Sequence, residues 1–418
     1  MQSFINSLYL FTARFVNSLA ILALILFISR RLGPDVFGGY SFLNAIVMTG
    51  IVVANFGLDT LMVREVSRDH SLGNKYLTSV LGFKLISALI VMAGLYGLFK
   101  LFVLDQAMVT LMAVFSIVIC LNALSQSFWY YGDAFHRFRL HAGLWAFSNL
   151  IKLPMVWFLI SFAESLTMII YALVVAEFIS LVISGLWAHH YFGQLLNSLS
   201  VRFILQLFKK AWPFASIFIL SAVYFRIDMI MLGIMKGDKA VGIYSAAYKL
   251  IEFLSIIPGT ICVAALPGLA IDYSDNIEDF RDSSFKTLAL LGGAGAVIGC
   301  IFYVFSEKII FFLYGFLFFD SIFSLRILSW VVFFLFLNGY LAYVLIATNN
   351  EKSVALILFF STILNVLFNY YLIPKYGPVG AALSMLFSEI LMLSFYGLLL
   401  LKKNIFLKQD MPFIPIKF

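Results

Sequence analysis

Apolar runs of membrane-spanning length, separated by short polar connections, fill the chain from end to end. A transmembrane helix needs about 20 apolar residues, and the runs lack the apolar–polar alternation of membrane β-strands. The pattern therefore predicts an all-α polytopic membrane protein with twelve spans. Their approximate bounds are 8–29, 40–62, 77–99, 107–130, 143–163, 166–188, 212–235, 247–270, 285–305, 326–348, 353–373 and 379–401.

A glycine–tyrosine signature occurs twice, once after the first run and once after the seventh. At an offset of 204 residues, Gly33, Gly38, Tyr40 and Ser41 recur as Gly237, Gly242, Tyr244 and Ser245. Because this offset is close to half of the 418 residues, it predicts two fused six-helix bundles, 1–204 and 205–418. Fused halves of this kind are typical of carriers whose site lies between them.

Composition supports a lipid environment, since 63% of the residues are hydrophobic, 12% are charged, and the mean hydropathy is +1.01. Soluble proteins carry about twice that charged fraction. Lys and Arg number fifteen in the loops and tail on the N-terminal side and seven in the opposite loops, which predicts cytoplasmic termini. This asymmetry accounts for the net charge of +7 without a nucleic-acid partner.

Several basic side chains fall inside the spans, where an ionised group costs at least about 2.5 kcal/mol. Ordered from the cytoplasmic face outward, they are Arg14, Lys84, Lys152, Arg226 and Lys249. If they face one cavity, they form a basic ladder suited to an anionic group such as a pyrophosphate. Arg14 and Lys84 could equally snorkel to the cytoplasmic face. Lys152 and Arg226 lie too deep for that and require an aqueous cavity or a buried partner.

Acidic residues in the spans could balance these charges or carry a coupling ion, H+ or Na+. They are Asp59, Glu177, Asp228, Glu252 and Glu389. Lys249 and Glu252 are three residues apart on one helix and could neutralise each other. Arg226 and Asp228 are two residues apart and point to different sides. At least one of these two must therefore find its partner on another helix or in water.

Other candidate chemistry is sparse. The loop residues Asp133, His136 and His141 lack the convergence of a metal site, and we expect the histidines to be solvated near the cytoplasmic surface. No nucleophile motif or phosphate-binding glycine loop occurs, so we expect neither an enzyme nor a resident cofactor. The cysteines at 120, 262 and 300 are predicted to be buried and inert. Proline is predicted to bend spans five and eight, and 307–323 is either an interfacial helix or a loop.

Several motifs resemble one family of bacterial transporters. They are Arg31-Leu32-Gly33-Pro34 with Phe37-Gly38, Gly57-Leu58-Asp59, the aromatic segment 129–138, the segments 224–233 and 242–250, and the loop 374–382. Together they are similar to Wzx-type polysaccharide flippases, whose superfamily also contains multidrug/toxin exporters and the lipid II flippase. In this family a cationic central cavity is expected to receive the pyrophosphate, and the positions that could serve here are Arg226, Lys152, Lys84 and Arg14. Of these four, Arg226 alone lies inside a motif characteristic of the family.

This resemblance implies two parallel six-helix bundles in a MATE-like, V-shaped arrangement, working by alternating access in the bacterial inner membrane. The implied substrate is an undecaprenyl-pyrophosphate-linked oligosaccharide, such as an O-antigen unit of lipopolysaccharide, carried to the outer leaflet. Membrane lipid, a polysaccharide polymerase and a chain-length regulator are the other implied partners. The alternative is a multidrug/toxin cation antiporter, which is disfavoured because span one carries Arg14 and no carboxylate. Short outer loops disfavour a polymerase or ligase.

Overall fold

The computed structural model describes residues 2–102, 105–193 and 200–403, with side chains except at 2–14, 102, 201, 213–214 and 267. Within these ranges the chain forms sixteen α-helices and two short 3₁₀ turns, and no strand. The helices are α1 (Gln2–Asn55), α2 (Leu58–Val66), α3 (Gly73–Phe102), α4 (Gln106–Ala134), α5 (Phe138–Leu150), α6 (Lys152–Ile160), α7 (Leu166–Phe192), α8 (Val201–Tyr224), α9 (Ile227–Lys236), α10 (Asp238–Leu254), α11 (Ile256–Asp275), α12 (Ile277–Val304), α13 (Ser306–Leu313), α14 (Ser321–Ala347), α15 (Glu351–Tyr376) and α16 (Pro378–Lys402).

The predicted all-α membrane fold is confirmed, whereas the exact number of spans stays a prediction. Within the described ranges, ten helical stretches are long and apolar enough to cross a membrane, or eleven if a bent pair in α8 counts as one. The first of these, Phe15–Val66, has 52 residues. At about 1.5 Å per residue it is more than twice the thickness of a hydrocarbon core. Counting it as two spans, and the bent pair in α8 as one more, would give the predicted twelve.

Two glycines of the repeated signature adopt the same unusual backbone conformation. Gly33 interrupts α1 with φ 73° and ψ −178°, and Gly237 separates α9 from α10 with φ 79° and ψ −179°. This region of backbone space is essentially open to glycine alone. The 204-residue repeat therefore preserves a specific turn, and the turn explains why glycine occurs at both places.

The other repeated glycines bring α1 and α10 into direct backbone contact. A Cβ atom on Gly38 would lie 1.8 Å from the carbonyl oxygen of Asp238, and one on Gly242 would lie 2.0 Å from that of Pro34. Pro34 and Asp238 are themselves 204 residues apart. The crossing is therefore reciprocal, because the glycine of each repeat contacts the residue at the equivalent position of the other repeat. Small residues permit such close approach between membrane helices.

Helix breaks occur where two of the predicted bends were expected. α6 begins two residues before Pro154, and α11 begins two residues before Pro258. Proline has no backbone N–H, and its ring clashes with the preceding turn. The helices of spans five and eight are thus interrupted at these positions, whereas a bend there stays a prediction.

The connection at 307–323 is helical rather than a simple loop. α13 is followed by a 3₁₀ turn at Phe316–Phe318. Arg30 donates its Nε–H to the carbonyl of Leu313 at 2.7 Å, and its Nη2 also donates to the carbonyl of Phe312. These bonds satisfy carbonyls that the end of a helix leaves free. Phe312 and Phe316 are exposed, as expected for a segment in contact with lipid.

The chain divides into two compact units. The first comprises Met1–Ala246 with Phe311–Phe319, and the second comprises Ala247–Ile310 with Asp320–Phe418. The first unit thus contains both copies of the repeated signature and the crossing of α1 with α10. The division into bundles at 204/205 stays a prediction, as does the V-shaped arrangement.

Candidate functional site

The seventh span is interrupted at its centre. α8 ends at Tyr224 and α9 begins at Ile227, so Phe225 and Arg226 lie between two helices. Arg226 occupies the N-cap position of α9 with φ −126° and ψ −13°. The first turn of a helix has unpaired backbone N–H groups and a partial positive charge. Transporters use such discontinuous helices to bind anionic substrate groups within the membrane.

Arg226 and Asp228 have different environments. Arg226 is half-buried, and among the described side chains it forms no ion pair. Asp228 is 2% exposed and accepts a hydrogen bond of 3.0 Å from the hydroxyl of Tyr244 on α10. The expectation that one of the two charges finds its partner on another helix is confirmed for Asp228. Arg226 remains as an accessible cation at the helix break.

Lys84 is the most deeply buried cation, with 0% exposure. Its ammonium group donates to both carboxylate oxygens of Asp59, at 2.7 and 2.8 Å, and to the carbonyl of Ala123 at 3.0 Å. The three N–H donors of a lysine are thereby used. Snorkelling to the cytoplasmic face was therefore wrong for Lys84, because its partner Asp59 holds the ammonium group inside the protein. A role of Lys84 in substrate binding stays a prediction.

Lys152 is also paired. Its Nζ lies 2.7 Å from Oε1 of Glu177 and donates to Oδ1 of Asn149 at 3.2 Å. The side chain of Glu177 is 1% exposed and that of Lys152 is 13% exposed. Of the two options left open by the sequence, a buried partner is present. The pair carries no net charge, but Lys152 keeps some access to its surroundings.

The predicted site residues of the second unit, which are Lys249, Glu252 and Glu389, have partners on the same or a neighbouring helix. The predicted pair on one helix is confirmed, since Lys249 and Glu252 lie 2.5 Å apart. Glu389 on α16 is 2% exposed and accepts from the amide of Asn338 on α14, at 2.7 Å through the carboxylate and 2.9 Å through the backbone carbonyl. Arg14 lies outside the residues whose side chains are described.

A histidine–aspartate pair was missed in the sequence. Asp133 ends up within α4 and His141 within α5, rather than in a loop. Nδ1 of His141 lies 2.6 Å from the carboxylate of Asp133, and both side chains are about 10% exposed. The solvated role expected for the histidines is therefore wrong for His141. The tryptophans around it, Trp129 and Trp145, were the available signal for burial.

The cysteines only partly follow the prediction. Cys262 is buried, Cys120 is half-buried and Cys300 is exposed, and all three are free thiols. Burial was therefore wrong for Cys300, which is exposed on α12. In the part of the chain that the structure describes, no three His, Cys, Asp or Glu side chains converge as a metal site requires.

Comparisons with known proteins agree with this architecture. The family described as polysaccharide biosynthesis protein matches residues 4–270, and the MatE family matches residues 213–371. The capsular polysaccharide biosynthesis protein CapF of Staphylococcus aureus is 24% identical over 405 residues, covering 94% of this chain and 98% of that protein.

Two solved structures show the fold. A lipid II flippase MurJ in an inward closed conformation has a TM-score of 0.77 at 15% identity, covering 94% of this chain and 87% of its own. An inward-facing multidrug resistance MATE family transporter of the MOP superfamily has a TM-score of 0.72 at 16% identity, covering 93% and 95%. The predicted resemblance to polysaccharide exporters is confirmed, and since the first family match spans well over half of the chain, this multi-pass membrane protein belongs to the polysaccharide biosynthesis protein family.

Proposed function

We propose that this protein is a flippase for undecaprenyl-pyrophosphate-linked oligosaccharide units of a capsule or O-antigen type. It carries them from the cytoplasmic to the outer leaflet of the bacterial inner membrane, with both termini in the cytoplasm. The observation that carries the proposal is Arg226, a half-buried cation at the central helix break with no ion-pair partner among the described residues. The role of CapF in capsular polysaccharide biosynthesis supports the choice of substrate.

The chemistry of the break suits a pyrophosphate. A guanidinium group binds phosphate oxygens through two parallel hydrogen bonds. The free N–H groups and partial positive charge of the α9 N-terminus add to the attraction. Moving a pyrophosphate across the bilayer requires such groups, because an unpaired anion in hydrocarbon is very costly.

The corresponding mechanism is transport by alternating access of the two bundles, with no covalent step. Energy from a proton or sodium gradient would enter at a membrane carboxylate. Asp228, Glu177 and Glu389 each have a hydrogen-bond or ion-pair partner. A coupling ion would therefore have to compete with Tyr244, Lys152 or Asn338 for its binding position. A polymerase and a chain-length regulator are the expected neighbours in the pathway.

A second candidate is a multidrug/toxin cation antiporter, favoured by the MatE match over residues 213–371. A cationic drug would need an accessible carboxylate rather than an accessible arginine. Arg226 therefore favours the anionic substrate.

The deciding experiment uses a strain that lacks this protein but retains the polysaccharide assembly genes. We expect the undecaprenyl-linked unit to accumulate in the cytoplasmic leaflet and to reach the outer leaflet again when the protein is re-expressed. Normal appearance in the outer leaflet without the protein would refute an essential flippase role. Drug-efflux assays would then test the antiporter.

Replacement of Arg226 tests the site itself. Loss of a charge-assisted hydrogen bond is worth about 1.5–3 kcal/mol, so Arg226→Ala should lower transport about tenfold or more. Arg226→Lys should retain part of it, since it keeps the charge but not the bidentate geometry. Lys236→Ala, an exposed position at the end of the same helix, is the control. Parent-like export by Arg226→Ala at equal expression would remove Arg226 from the mechanism.

A further inference from the structure

Seven polar side chains of the first unit form a continuous series of contacts, in which five hydrogen bonds are joined by one ion pair. From the central pair Lys152–Glu177, one branch runs from Lys152 to Asn149 at 3.2 Å and from Asn149 to Asn17 at 3.2 Å. In the other branch, Asn122 donates a hydrogen bond to the carboxylate of Glu177 at 3.3 Å. Gln126 in turn donates a hydrogen bond to Asn122 at 2.6 Å, and Asn55 donates one to Gln126 at 3.0 Å. We call these seven residues the amide chain.

The composition of the amide chain defines what it can bind. Its one cation and one anion lie 2.7 Å apart and cancel, and the other five members are neutral carboxamides. Carboxamides offer both donors and acceptors. A pyrophosphate needs net positive charge, whereas a sugar ring presents hydroxyls that each donate and accept. The amide chain therefore matches a neutral, hydroxyl-rich ligand better than an anion.

Both ends of the amide chain retain unused capacity. Nδ2 of Asn17 and Oδ1 of Asn55 are buried and have no hydrogen-bond partner. Asn17 is 1% exposed. Gln126 uses one of its two amide N–H groups on Asn122. A hydroxyl beside Gln126 could accept from its free N–H without breaking the chain, and a rotation of the Asn55 side chain that uncovers Oδ1 would allow the same hydroxyl to donate to that oxygen.

Solvent accessibility is uneven along the amide chain. Asn55, Gln126 and Lys152 are half-buried, whereas Asn17 and Glu177 are almost completely buried. Polar side chains that faced hydrocarbon would lose hydrogen bonds to water without replacement. The partly exposed members therefore face space that water or a polar ligand can enter.

We propose that the amide chain binds the hydroxyl groups of the oligosaccharide and so selects lipid carriers that bear sugar, with Asn55 and Gln126 as the contact residues. This inference rests on the proposed flippase function. It assigns sugar recognition to the amide chain and leaves the pyrophosphate to Arg226.

The test compares two lipids in proteoliposomes of the purified full-length protein. One is undecaprenyl pyrophosphate bearing the native repeat unit, and the other is undecaprenyl pyrophosphate without sugar. The quantity measured is the ratio of their apparent affinities in a transport-competition assay. Gln126→Met keeps the volume and removes the amide, and Asn55→Ser shortens the side chain and removes its free oxygen. Gln106→Met, at an exposed position at the start of the same helix, is the matched control.

We expect the parent and Gln106→Met to prefer the sugar-bearing lipid. Gln126→Met and Asn55→Ser should lower that preference about three- to tenfold, the effect of one or two neutral hydrogen bonds. Arg226→Ala should lower the apparent affinities for the two lipids by the same factor.

Three results would overturn the inference. An unchanged preference in both variants, at parent-like melting temperature, would mean that the amide chain does not contact sugar. An equal loss of apparent affinity for both lipids, together with a lowered melting temperature, would show that the amide chain serves only to join the helices. Transport of neither lipid by the parent would refute the flippase function and this inference with it.

Discussion

Alanine at Gly38 is the most direct test of the crossing between α1 and α10. The new Cβ atom would lie 1.8 Å from the carbonyl oxygen of Asp238, whereas real Cβ contacts essentially never fall below 3.0 Å. The two helix backbones must therefore separate by about 1.2 Å, because neither clashing group is a side chain that can rotate away. A gap of that size loses much of the dispersion energy along the contact.

Overpacking of this kind costs about 1–3 kcal/mol, against which alanine regains up to about 1 kcal/mol of helix propensity. The net expectation for Gly38→Ala is a loss of stability of about 1–2 kcal/mol, seen as a lower melting temperature in detergent. Gly242→Ala should behave alike, since its Cβ meets the carbonyl of Pro34 at 2.0 Å. The double variant should lose less than the sum, because one separation relieves both clashes.

Gly97→Ala in α3 is the matched control, because a Cβ there has nothing within 4 Å. It should be neutral or slightly stabilising. If Gly38→Ala melts with the parent and with Gly97→Ala, the backbone contact at the crossing does not exist as described.

Two further predictions concern the buried pairs. Lys84→Met leaves the Asp59 carboxylate buried and unpaired, so it should lower the free energy of unfolding by about 3–5 kcal/mol in thermal unfolding. Replacing Asp59 by Leu in the same chain should restore part of that stability. A single variant as stable as the parent would contradict the pairing. His141→Asn removes the buried partner of Asp133 and should cost about 1–3 kcal/mol. His136→Asn, at an exposed position, should stay within about 0.5 kcal/mol in the same measurement.

Most of the fold could be predicted from the sequence, because the patterns that indicate helices and breaks are local and recur along the chain. Apolar length marked the spans, and proline at 154 and 258 marked two of the breaks. The glycines at 33 and 237 marked the turns that only glycine can form. The break at Arg226 has no proline and no glycine, so no local rule predicted it. Only the cost of a charge at that depth pointed to it.

Pairing of the charges could be predicted only within a helix. Lys249 and Glu252 are three residues apart, and helical geometry alone places them together. Lys84 and Asp59 are 25 residues apart and belong to different helices. Their contact depends on the rotation of each helix about its axis, which is difficult to predict because burial of apolar surface does not drive helices together in lipid.

The two repeats agree at the crossing and differ at the charges. At the 204-residue offset, Arg226 corresponds to Leu22 and Asp228 corresponds to Leu24. Burial is preserved in both cases, since Arg226 and Leu22 are half-buried and Asp228 and Leu24 are buried. The degree of burial is thus the same in both repeats, whereas the chemistry differs, and the helix is interrupted at Arg226 but continues through Leu22. A symmetric scaffold that held symmetric charges would present two equal anion sites, whereas at this pair of equivalent positions the second repeat has Arg226 and the first has Leu22. We infer that the repeat provides the shared helix geometry, and that the asymmetric substitutions give the two ends of a lipid-linked sugar different places to bind.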